Sequence, residues 1–310
     1  MKKTLLSFLL IFIIFIVAAC NSTPVGDSVI ICWSKDGTVE TLIYDVIENN
    51  TPIGTLTLKS RSIPALAGSA GYDYEISCVE SDGSVAADFI NVPSYGTIIE
   101  CEMTFDAKYI GDSLKYYIAL NRSMQPLYSY RELTVDAYIG TLIAEQKEKN
   151  TAVSYKTSSK YIPKANGNID YCEFRTYITG ADVPYSTGSI AGTGKYQYDN
   201  DELIYLFRAL EINGGFSMNY SIFSPMDNSL TNLTSRGSTS KVNDILYFSG
   251  SELSTIEISV GLNQSLPGQS NVIHYSSDPV TVKDTTTKLT KVPLKIIQGN
   301  FSYVLKDIII

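Results

Sequence analysis

Hydrophobic and polar residues alternate in short runs along most of the chain, and this two-residue period predicts β-strands. The run IIECEMTF at residues 98–105 shows the pattern well. Because successive side chains of a strand point to opposite faces, every second residue of this run should be buried. The expected buried set is Ile99, Cys101, Met103 and Phe105. Glu100 and Glu102 fall on the other face, where we interpret them as solvent-facing neighbours and not as a catalytic acid pair.

Runs of the same kind predict strands joined by turns from residue 29 to residue 309. The expected strands are residues 29–33, 38–46, 53–58, 72–79, 98–105, 114–120, 128–135, 138–146, 151–157, 172–178, 216–224, 244–248, 254–262, 272–276, 288–297 and 301–309. Residues 135–150 also fit an amphipathic helix, and that alternative stays open. Segments rich in Ser, Thr, Asn and Gly are predicted as loops, including residues 60–70 and 188–194.

One segment has helical spacing instead. Its apolar stripe consists of Leu203, Leu206, Phe207 and Leu210. Asn200 is the expected N-cap, and Gly214 with Gly215 should stop the helix. We expect this helix to pack on the sheet or to plug its mouth, with Arg208 directed outward. Together the patterns predict a mainly β protein, a curved antiparallel sheet or open β-barrel with one short packed α-helix.

The first twenty residues form a separate unit. Lys2 and Lys3 precede an apolar run at residues 5–19, which is shorter than the about 20 residues that a membrane-spanning helix needs. A basic start and a short apolar core are typical of an export signal. Residues 17–20, with the sequence VAAC, resemble the lipobox of bacterial lipoproteins. The resemblance implies cleavage before Cys20 and a diacylglycerol on its thiol; an uncleaved anchor and an ordinary signal peptide are the alternatives.

These features predict the organisation of the chain. Residues 1–19 would be a cleaved lipoprotein signal peptide, residues 20–27 a lipidated tether, and residues 28–310 an antiparallel β domain. Two or three acyl chains hold a protein firmly on a bilayer without spanning it. We therefore expect an exported protein, lipid-anchored on the periplasmic or extracellular face of the cell membrane or outer membrane.

The charge balance bears on the partners of the protein. The chain has 24 basic and 32 acidic residues, and removal of Lys2 and Lys3 with the signal leaves 22 against 32, a net charge of −10. Such a chain repels phosphate backbones and anionic lipid surfaces, so neither nucleic acid nor a polybasic membrane contact is expected. The 22 tyrosines, all after the signal, add to the preference for strands.

Four cysteines follow the lipobox, namely Cys32, Cys78, Cys101 and Cys172. In an exported protein they can form two disulfides in three different pairings, and buried free thiols are the alternative. Their spacing contains no Cys-x-x-Cys and the chain has one histidine. A zinc site built from them is therefore not expected, and neither is another metal or a cofactor.

The second half of the chain resembles a family of exported bacterial proteins. The segments are DNDELIYLFRALEINGGFSMNYSIF at residues 199–223, VIHYSSDP at 272–279 and KVPLKIIQGNFSYVL at 291–305. In this order they resemble the DUF3108 domain. The resemblance implies a curved antiparallel sheet or open barrel in the cell envelope, and it brings no established activity and no catalytic residues. Residues 60–110 are long for the family and suggest an insertion.

Catalytic motifs are incomplete. Residues 111–114 read GDSL, the nucleophile block of a lipase family, but the matching Asp-x-x-His block fails because Asn271 stands three positions before His274. We interpret His274 as a half-buried substitute for an aromatic residue. The sequence GTGK ending at Lys195 lacks the spacing of a phosphate-binding loop. No residue is assigned a catalytic role, and a hydrolase is kept as the enzymatic alternative.

The function expected from the sequence is binding without catalysis. A curved sheet can enclose an apolar surface that holds a hydrophobic ligand or lipid. The candidate ligand-facing residues are those of the helical stripe, Leu203, Leu206, Phe207 and Leu210. The alternative is a structural or assembly lipoprotein that binds an envelope protein through an exposed tyrosine-bearing edge or face.

Overall fold

The computed structural model describes residues 38–64, 71–106, 109–135, 153–165, 167–193, 196–224, 228–262 and 271–310. The predicted signal peptide, Cys20 and the tether lie outside the described residues. So do Cys32, the strands predicted at residues 29–33 and 138–146, and the alternative helix of residues 135–150 beyond its first residue.

The described residues form nineteen strands and one α-helix. The strands are β1 (Val39–Glu48), β2 (Thr51–Ser62), β3 (Tyr72–Val79), β4 (Val85–Val92), β5 (Thr97–Phe105), β6 (Ser113–Leu120), β7 (Pro126–Val135), β8 (Val153–Pro163), β9 (Ile169–Ile178), β10 (Tyr185–Ala191), β11 (Gln197–Asp199), β12 (Ser217–Ser224), β13 (Ser229–Val242), β14 (Leu253–Leu262), β15 (Asn271–Ser276), β16 (Val280–Thr281), β17 (Lys288–Leu289), β18 (Pro293–Gln298) and β19 (Phe301–Ile309). The helix α1 spans Leu203–Ala209, and short 3-10 turns cover Asn200–Glu202 and Leu246–Phe248.

Fifteen of these strands form one sheet in the order β10-β9-β8-β7-β6-β5-β2-β1-β19-β18-β15-β14-β13-β12-β11. Neighbouring strands are antiparallel except for the short parallel pair β11 and β12. The sheet is open, with β10 and β11 as its edges, and two separate pairs, β3 with β4 and β16 with β17, complete the structure. The predicted fold class, a mainly β protein with a large antiparallel sheet and one short helix, is confirmed.

The sheet curves so that its two ends approach each other around α1. At the seam, Ser129 Oγ on β7 donates to Asp199 Oδ2 at the end of β11, 2.8 Å away. Tyr161 on β8 also donates to Asp199, and Arg131 Nε donates to Asp201 Oδ2 at 2.9 Å. We call these five residues the polar seam. The inner face of the sheet and α1 share the largest hydrophobic core of the described residues.

Asn200 is not the N-cap of α1. It is the first residue of the 3-10 turn that precedes α1, and the N-cap of α1 is Glu202, which makes no side-chain capping bond. The 3-10 turn is capped by Asp199, whose side chain accepts from Asp201 N at 2.9 Å while the Glu202 side chain accepts from Asp199 N at 3.2 Å. This reciprocal capping box satisfies two backbone donors that a helix start leaves without partners. The helix ends early, since Leu210 is already in extended backbone with ψ 158°.

The expectation that Arg208 points outward is wrong. Its side chain is fully buried, and Arg208 Nη2 donates to Glu40 Oε2 on β1 at 3.1 Å, with a second bond from Nη1 to the same carboxylate. The guanidinium also lies 5.6 Å from the ring centre of Tyr205. The reason is that the sheet curves around α1. The helix face that carries Arg208, which was expected to face solvent, therefore packs against β1.

Several loop predictions in polar segments are also wrong. The longest described strand, β13, lies in a Ser-, Thr- and Asn-rich region that was expected to be a loop, and β10 includes four residues of the predicted flexible connection 188–194. Strands on both sides of β13 satisfy its backbone hydrogen bonds. The segment therefore forms a strand although its sequence is mostly polar. Conversely, the predicted strand 244–248 contains a 3-10 turn, and residues 288–297 divide into β17 and β18.

Other expectations are confirmed. The buried face of β5 is the predicted one, with Glu100 and Glu102 exposed between buried neighbours. β3 and β19 have the predicted bounds, and the turn at Gly299 joins β18 to β19. Cys78, Cys101 and Cys172 are free thiols. Pairing among these three is therefore excluded, and the prediction of buried free thiols holds for Cys101 and Cys172.

Candidate functional site

The hairpin of β3 and β4 lies on the outer face of the large sheet, and a cleft opens between the two. The cleft has a volume of about 620 Å³. Its walls come from the hairpin, from the outer face of β7 to β9 and from the edge strand β10. The lining residues are Ile76, Cys78, Asp88, Phe89, Ile90, Tyr128, Ser158, Lys160, Glu173, Phe174, Arg175, Thr187, Gly188 and Ser189.

Tyrosines of the sheet bind the hairpin along its β3 strand. Tyr128 OH donates to the Ser77 carbonyl at 2.8 Å, and the Ser77 N–H donates to Tyr117 OH. Two positions further on, Val79 N donates to Ser158 Oγ at 3.2 Å. These hydrogen bonds satisfy both backbone groups of Ser77 on the side away from β4. The hairpin is therefore held at β3, and β4 forms the outer wall of the cleft.

The rings beneath the hairpin are stacked. Tyr117 lies with its ring centre 6.4 Å from that of Tyr128 and 5.7 Å from that of Tyr130, and Tyr74 meets Tyr117 edge-on at 5.5 Å. Burial raises the pKa of Tyr117 to about 12 and raises the pKa of Tyr128 further. The hydroxyl groups are therefore neutral at physiological pH. They act as hydrogen-bond donors and acceptors beside an apolar floor.

The charged side chains that line the cleft are balanced, with two cations and two carboxylates. Lys160 on β8 lies directly opposite Glu173 on β9, while Arg175 Nη1 lies 3.6 Å from Glu80 Oε1 at the end of the hairpin. Asp88 is the other lining carboxylate. The two lining cations and two lining anions give no net charge, and Ile76 and Ile90 on one face of the hairpin supply apolar side chains. Such a site suits a ligand with an apolar body and an uncharged or zwitterionic polar group.

The helical stripe predicted to face a ligand lies on the opposite side of the sheet. Leu206 and Phe207 are fully buried, and Leu203 and Leu210 are 7 % and 5 % exposed. All four belong to the main core and pack with residues of the inner face. None of them lines the cleft on the outer face. Their role in binding a ligand stays a prediction, as does lipidation of Cys20, which lies outside the described residues.

The residues of the incomplete hydrolase motif do not converge. Ser113 is the first residue of β6 and His274 lies on β15, with five strands between them in the sheet order. His274 is buried and more enclosed than predicted, and its Nδ1 lies 3.9 Å from Glu257 Oε2 on the neighbouring strand. Burial lowers the pKa of His274. Ser113 and His274 therefore do not form a nucleophile and base pair.

Neither a metal cluster nor a membrane-spanning helix occurs among the described residues. Within the part of the chain that the structure describes, no group of three or more His, Cys, Asp or Glu side chains is placed to hold a metal ion. The described helices include none with the length and apolar character needed to cross a bilayer.

Comparisons with protein-family models, with curated proteins and with solved structures found no match to this chain. The resemblance to the DUF3108 domain therefore stays a prediction, and the proposed function rests on the geometry of the chain itself.

Sequence reasoning missed the cleft because its walls are far apart in the chain. Residues 85–92 gave no clear pattern, since β4 exposes five consecutive residues at its start. Arg175 falls on the polar face of the predicted strand 172–178, whereas Lys160 lies beyond the end of the predicted strand 151–157. No local signal indicates that a hairpin from residues 72–92 lies over that face.

Proposed function

We propose that this protein is a non-catalytic lipoprotein of the bacterial cell envelope that binds an amphipathic small molecule in the cleft between β4 and strands β8 to β10. The observation that carries the proposal is the cleft itself. Its volume of about 620 Å³ falls within the roughly 300–1,000 Å³ that small-molecule sites occupy. The lipid on Cys20 would hold the protein at the membrane.

The cleft is a better binding site than the inner face. α1 already packs against the inner face, and its stripe is buried in the main core. A ligand at that position would have to displace close-packed side chains, which is costly in a protein interior. The cleft instead presents Ile76 and Ile90 from one face of the hairpin beside polar groups of the sheet, so a ligand gains apolar contact without disturbing the core.

The lining also indicates the chemical class of the ligand. Ile76 and Ile90 offer apolar contact, and Ser158 and Tyr128 of the sheet also line the cleft. The balance of lysine, arginine and two carboxylates disfavours a ligand with net charge, because one sign of charge would always be repelled. A neutral or zwitterionic lipid-like molecule fits both features.

The test is to produce residues 21–310 behind a cleavable export signal, to purify the protein from the envelope compartment and to examine it by native mass spectrometry, followed by extraction and identification of bound molecules. Filling the cleft should abolish binding. Thr187 and Ser189 are exposed on the edge strand β10 and line the cleft, so Thr187→Trp and Ser189→Trp should be tolerated while occupying it. Ser186→Trp, on the same strand with its side chain on the other face, is the matched control.

The expected result is a bound neutral or zwitterionic amphiphile in the wild type and in Ser186→Trp, and its loss in the two cleft variants. Retention of the ligand in Thr187→Trp and Ser189→Trp would contradict the cleft as the binding site. A protein that carries no ligand in any form would contradict the carrier function.

A second candidate, binding of a protein partner, is favoured by the free edge of β4. β4 pairs only with β3 in a two-stranded sheet among the described strands, and residues 85–89 are all exposed. Exposed strand edges bind extended peptides through backbone hydrogen bonds. A photoreactive amino acid at position 89 in intact cells would then give one discrete protein adduct, whereas a lipid adduct would favour the small-molecule function.

A further inference from the structure

The outer edge of β4 presents backbone groups at every second residue. Ser77 and Val79 of β3 direct their backbone groups away from β4, toward side chains of the large sheet. Their partners across the hairpin are Ala87 and Val85. In an antiparallel pair, opposed residues that do not bond to each other point their backbone groups to the two outer edges. The N–H and C=O groups of residues 85, 87 and 89 therefore point away from β3.

This edge is open and regular. Phe89 N donates to Asp88 Oδ1 at 2.8 Å, a bond within the strand itself. The outward backbone groups of Val85 and Ala87 have no hydrogen-bond partner among the described residues. Proteins commonly block such an edge with lysine, proline or a bulge. β4 contains no lysine and no proline, and its eight pairs with β3 run without a shift of register.

The hairpin that carries the edge is acidic. Residues 71–92 contain no lysine or arginine and five acidic residues, namely Asp73, Glu75, Glu80, Asp82 and Asp88. Within the described ranges, only Glu80 of these forms an ion pair, with Arg175 of the sheet beneath. Lys156 also reaches the hairpin from beneath, where its Nζ donates to the Gly83 carbonyl at 3.1 Å. The cations that contact the hairpin thus lie on its inner side, and four carboxylates have no cationic partner in the described part of the chain.

We infer that the free edge of β4 binds an extended basic segment of another protein, which adds to the hairpin as a third strand. The inference rests on the second candidate function, protein binding at β4, and names the chemistry of the partner. In strand addition the backbone hydrogen bonds supply affinity, and side chains at alternate positions supply selectivity.

Two neighbouring side chains of β4 indicate the sequence pattern of the partner. Ile90 packs toward the large sheet, so Phe89, which is 64 % exposed, lies on the face turned away from it. Asp88 shares the face of Ile90. An added strand would place one residue beside Phe89 and the next residue beside Asp88. An apolar residue suits the first position, and lysine or arginine suits the second.

A second copy of this chain is a poorer partner for the edge. Pairing of two β4 strands would bring together two hairpins that each carry five acidic residues and no cation of their own. Like charges on adjacent strands are destabilising. A basic segment instead gains from the charge of the hairpin, and this gain should fall as salt screens it.

A synthetic peptide of alternating lysine and valine, about as long as β4, is the probe. Fluorescence anisotropy of the labelled peptide measures its affinity for residues 21–310. Ala87→Pro removes an outward N–H and should weaken binding about tenfold. Ala87→Val keeps that N–H and is the matched control, with binding within about twofold of the wild type. Ala87 does not line the cleft, so both variants should keep the cleft ligand in native mass spectra.

The contribution of charge is measured separately. Asp88→Asn keeps the oxygen that accepts from Phe89 N and loses the charge. It should weaken binding about threefold in about 50 mM salt and have little effect in about 500 mM salt. Two further peptides test the wild type without depending on how any variant folds. Glutamate in place of lysine, or proline in place of valine, should each abolish binding, because the first reverses the charge and the second prevents strand pairing.

Equal affinity of Ala87→Pro and Ala87→Val for the peptide would overturn the inference. So would binding of the glutamate or proline peptide as tight as that of the lysine–valine peptide, or no binding of any peptide. A dimer in sedimentation velocity that Ala87→Pro abolishes would also overturn it, because a second copy would then occupy the edge. A protein adduct at position 89 in cells without binding of the basic peptide would retain protein binding and contradict the basic partner. Loss of the cleft ligand alone would contradict only the carrier function.

Discussion

Two ion pairs of similar chemistry differ in where the sheet places them. On the inner face, Arg208 binds Glu40 with both side chains fully buried. On the outer face, Arg175 lies 3.6 Å from Glu80 with the two side chains 50 % and 44 % exposed. In the inner pair each charge is removed from water and is stabilised by the opposite charge. In the outer pair both charges remain hydrated and screened by solvent.

The same contrast extends to the two layers that cover the sheet. α1 is enclosed by the inner face and packs through apolar side chains of the main core. The β3–β4 hairpin covers only part of the outer face and is attached through tyrosine hydroxyls and backbone groups. The inner layer therefore provides stability, and the incomplete outer layer leaves room for a ligand.

The largest effect is expected from breaking the inner ion pair. Arg208→Met leaves the Glu40 carboxylate buried without its guanidinium partner, and such a change costs about 3–5 kcal/mol of unfolding free energy. Urea denaturation measures it. The double variant Glu40→Leu, Arg208→Met removes both charges and should recover most of the loss; a single variant within 1 kcal/mol of wild type would show that the pair is not desolvated as described.

The second prediction concerns pH and the inner face. Burial raises the pKa of Glu202 well above its ordinary value of 4.5, and the Asp199 carboxylate raises it further. The stability linked to this group is complete below pH 4.5 and is lost as the pH rises through the higher folded pKa. A folded pKa one unit above the unfolded pKa corresponds to about 1.4 kcal/mol of unfolding free energy.

Glu202→Gln keeps the oxygen that accepts from Asp199 N and cannot ionise. Urea titrations from pH 4 to pH 9 should therefore show a steeper loss of stability in the wild type than in the variant. Asp199 also has a raised pKa and is present in both proteins, so the difference between the curves reports Glu202 together with its interaction with Asp199. Parallel curves for the two proteins would contradict a buried, ionisable Glu202.

A smaller effect is expected on the outer face. Tyr128→Phe removes the hydroxyl that donates to Ser77 O, which should cost about 1 kcal/mol and speed hydrogen exchange in residues 72–92. Tyr130→Phe is the control, because that hydroxyl donates to Glu132 on its own strand at 3.2 Å. If both variants exchange at the wild-type rate, Tyr128 does not hold the hairpin.

The smallest effect is expected for the outer ion pair. Arg175→Gln should change the unfolding free energy by less than about 0.5 kcal/mol, because both partners are half exposed and screened by solvent. Thermal unfolding at low and high salt measures this change. A loss comparable to that of Arg208→Met would remove the distinction between the two faces.

Features that depend on neighbouring residues in the chain were predicted correctly from the sequence. The alternation in β5 assigned its buried face correctly, and Gly299, whose φ is +59°, marked a hairpin because glycine adopts that conformation at little cost. The helix that carries the apolar stripe packs on the sheet, as expected. These features depend on neighbours in the chain.

Features set by distant contacts could not be predicted in the same way. Arg208 has an ordinary place on the polar side of a short helix, and its burial follows from the curvature of the sheet. β13 is stabilised by two neighbouring strands and not by its own pattern. The cleft needs the hairpin to lie over strands about 80 residues further along, as in the bond from Val79 to Ser158.

Hydrogen exchange with and without ligand tests the central claim most directly. Protein of residues 21–310 is stripped of bound molecules with a hydrophobic resin and reloaded with the extracted material. Reloading should slow exchange in β4 and β10, the two walls of the cleft, and leave α1 unchanged. Protection confined to α1 would place the ligand on the inner face and contradict the account.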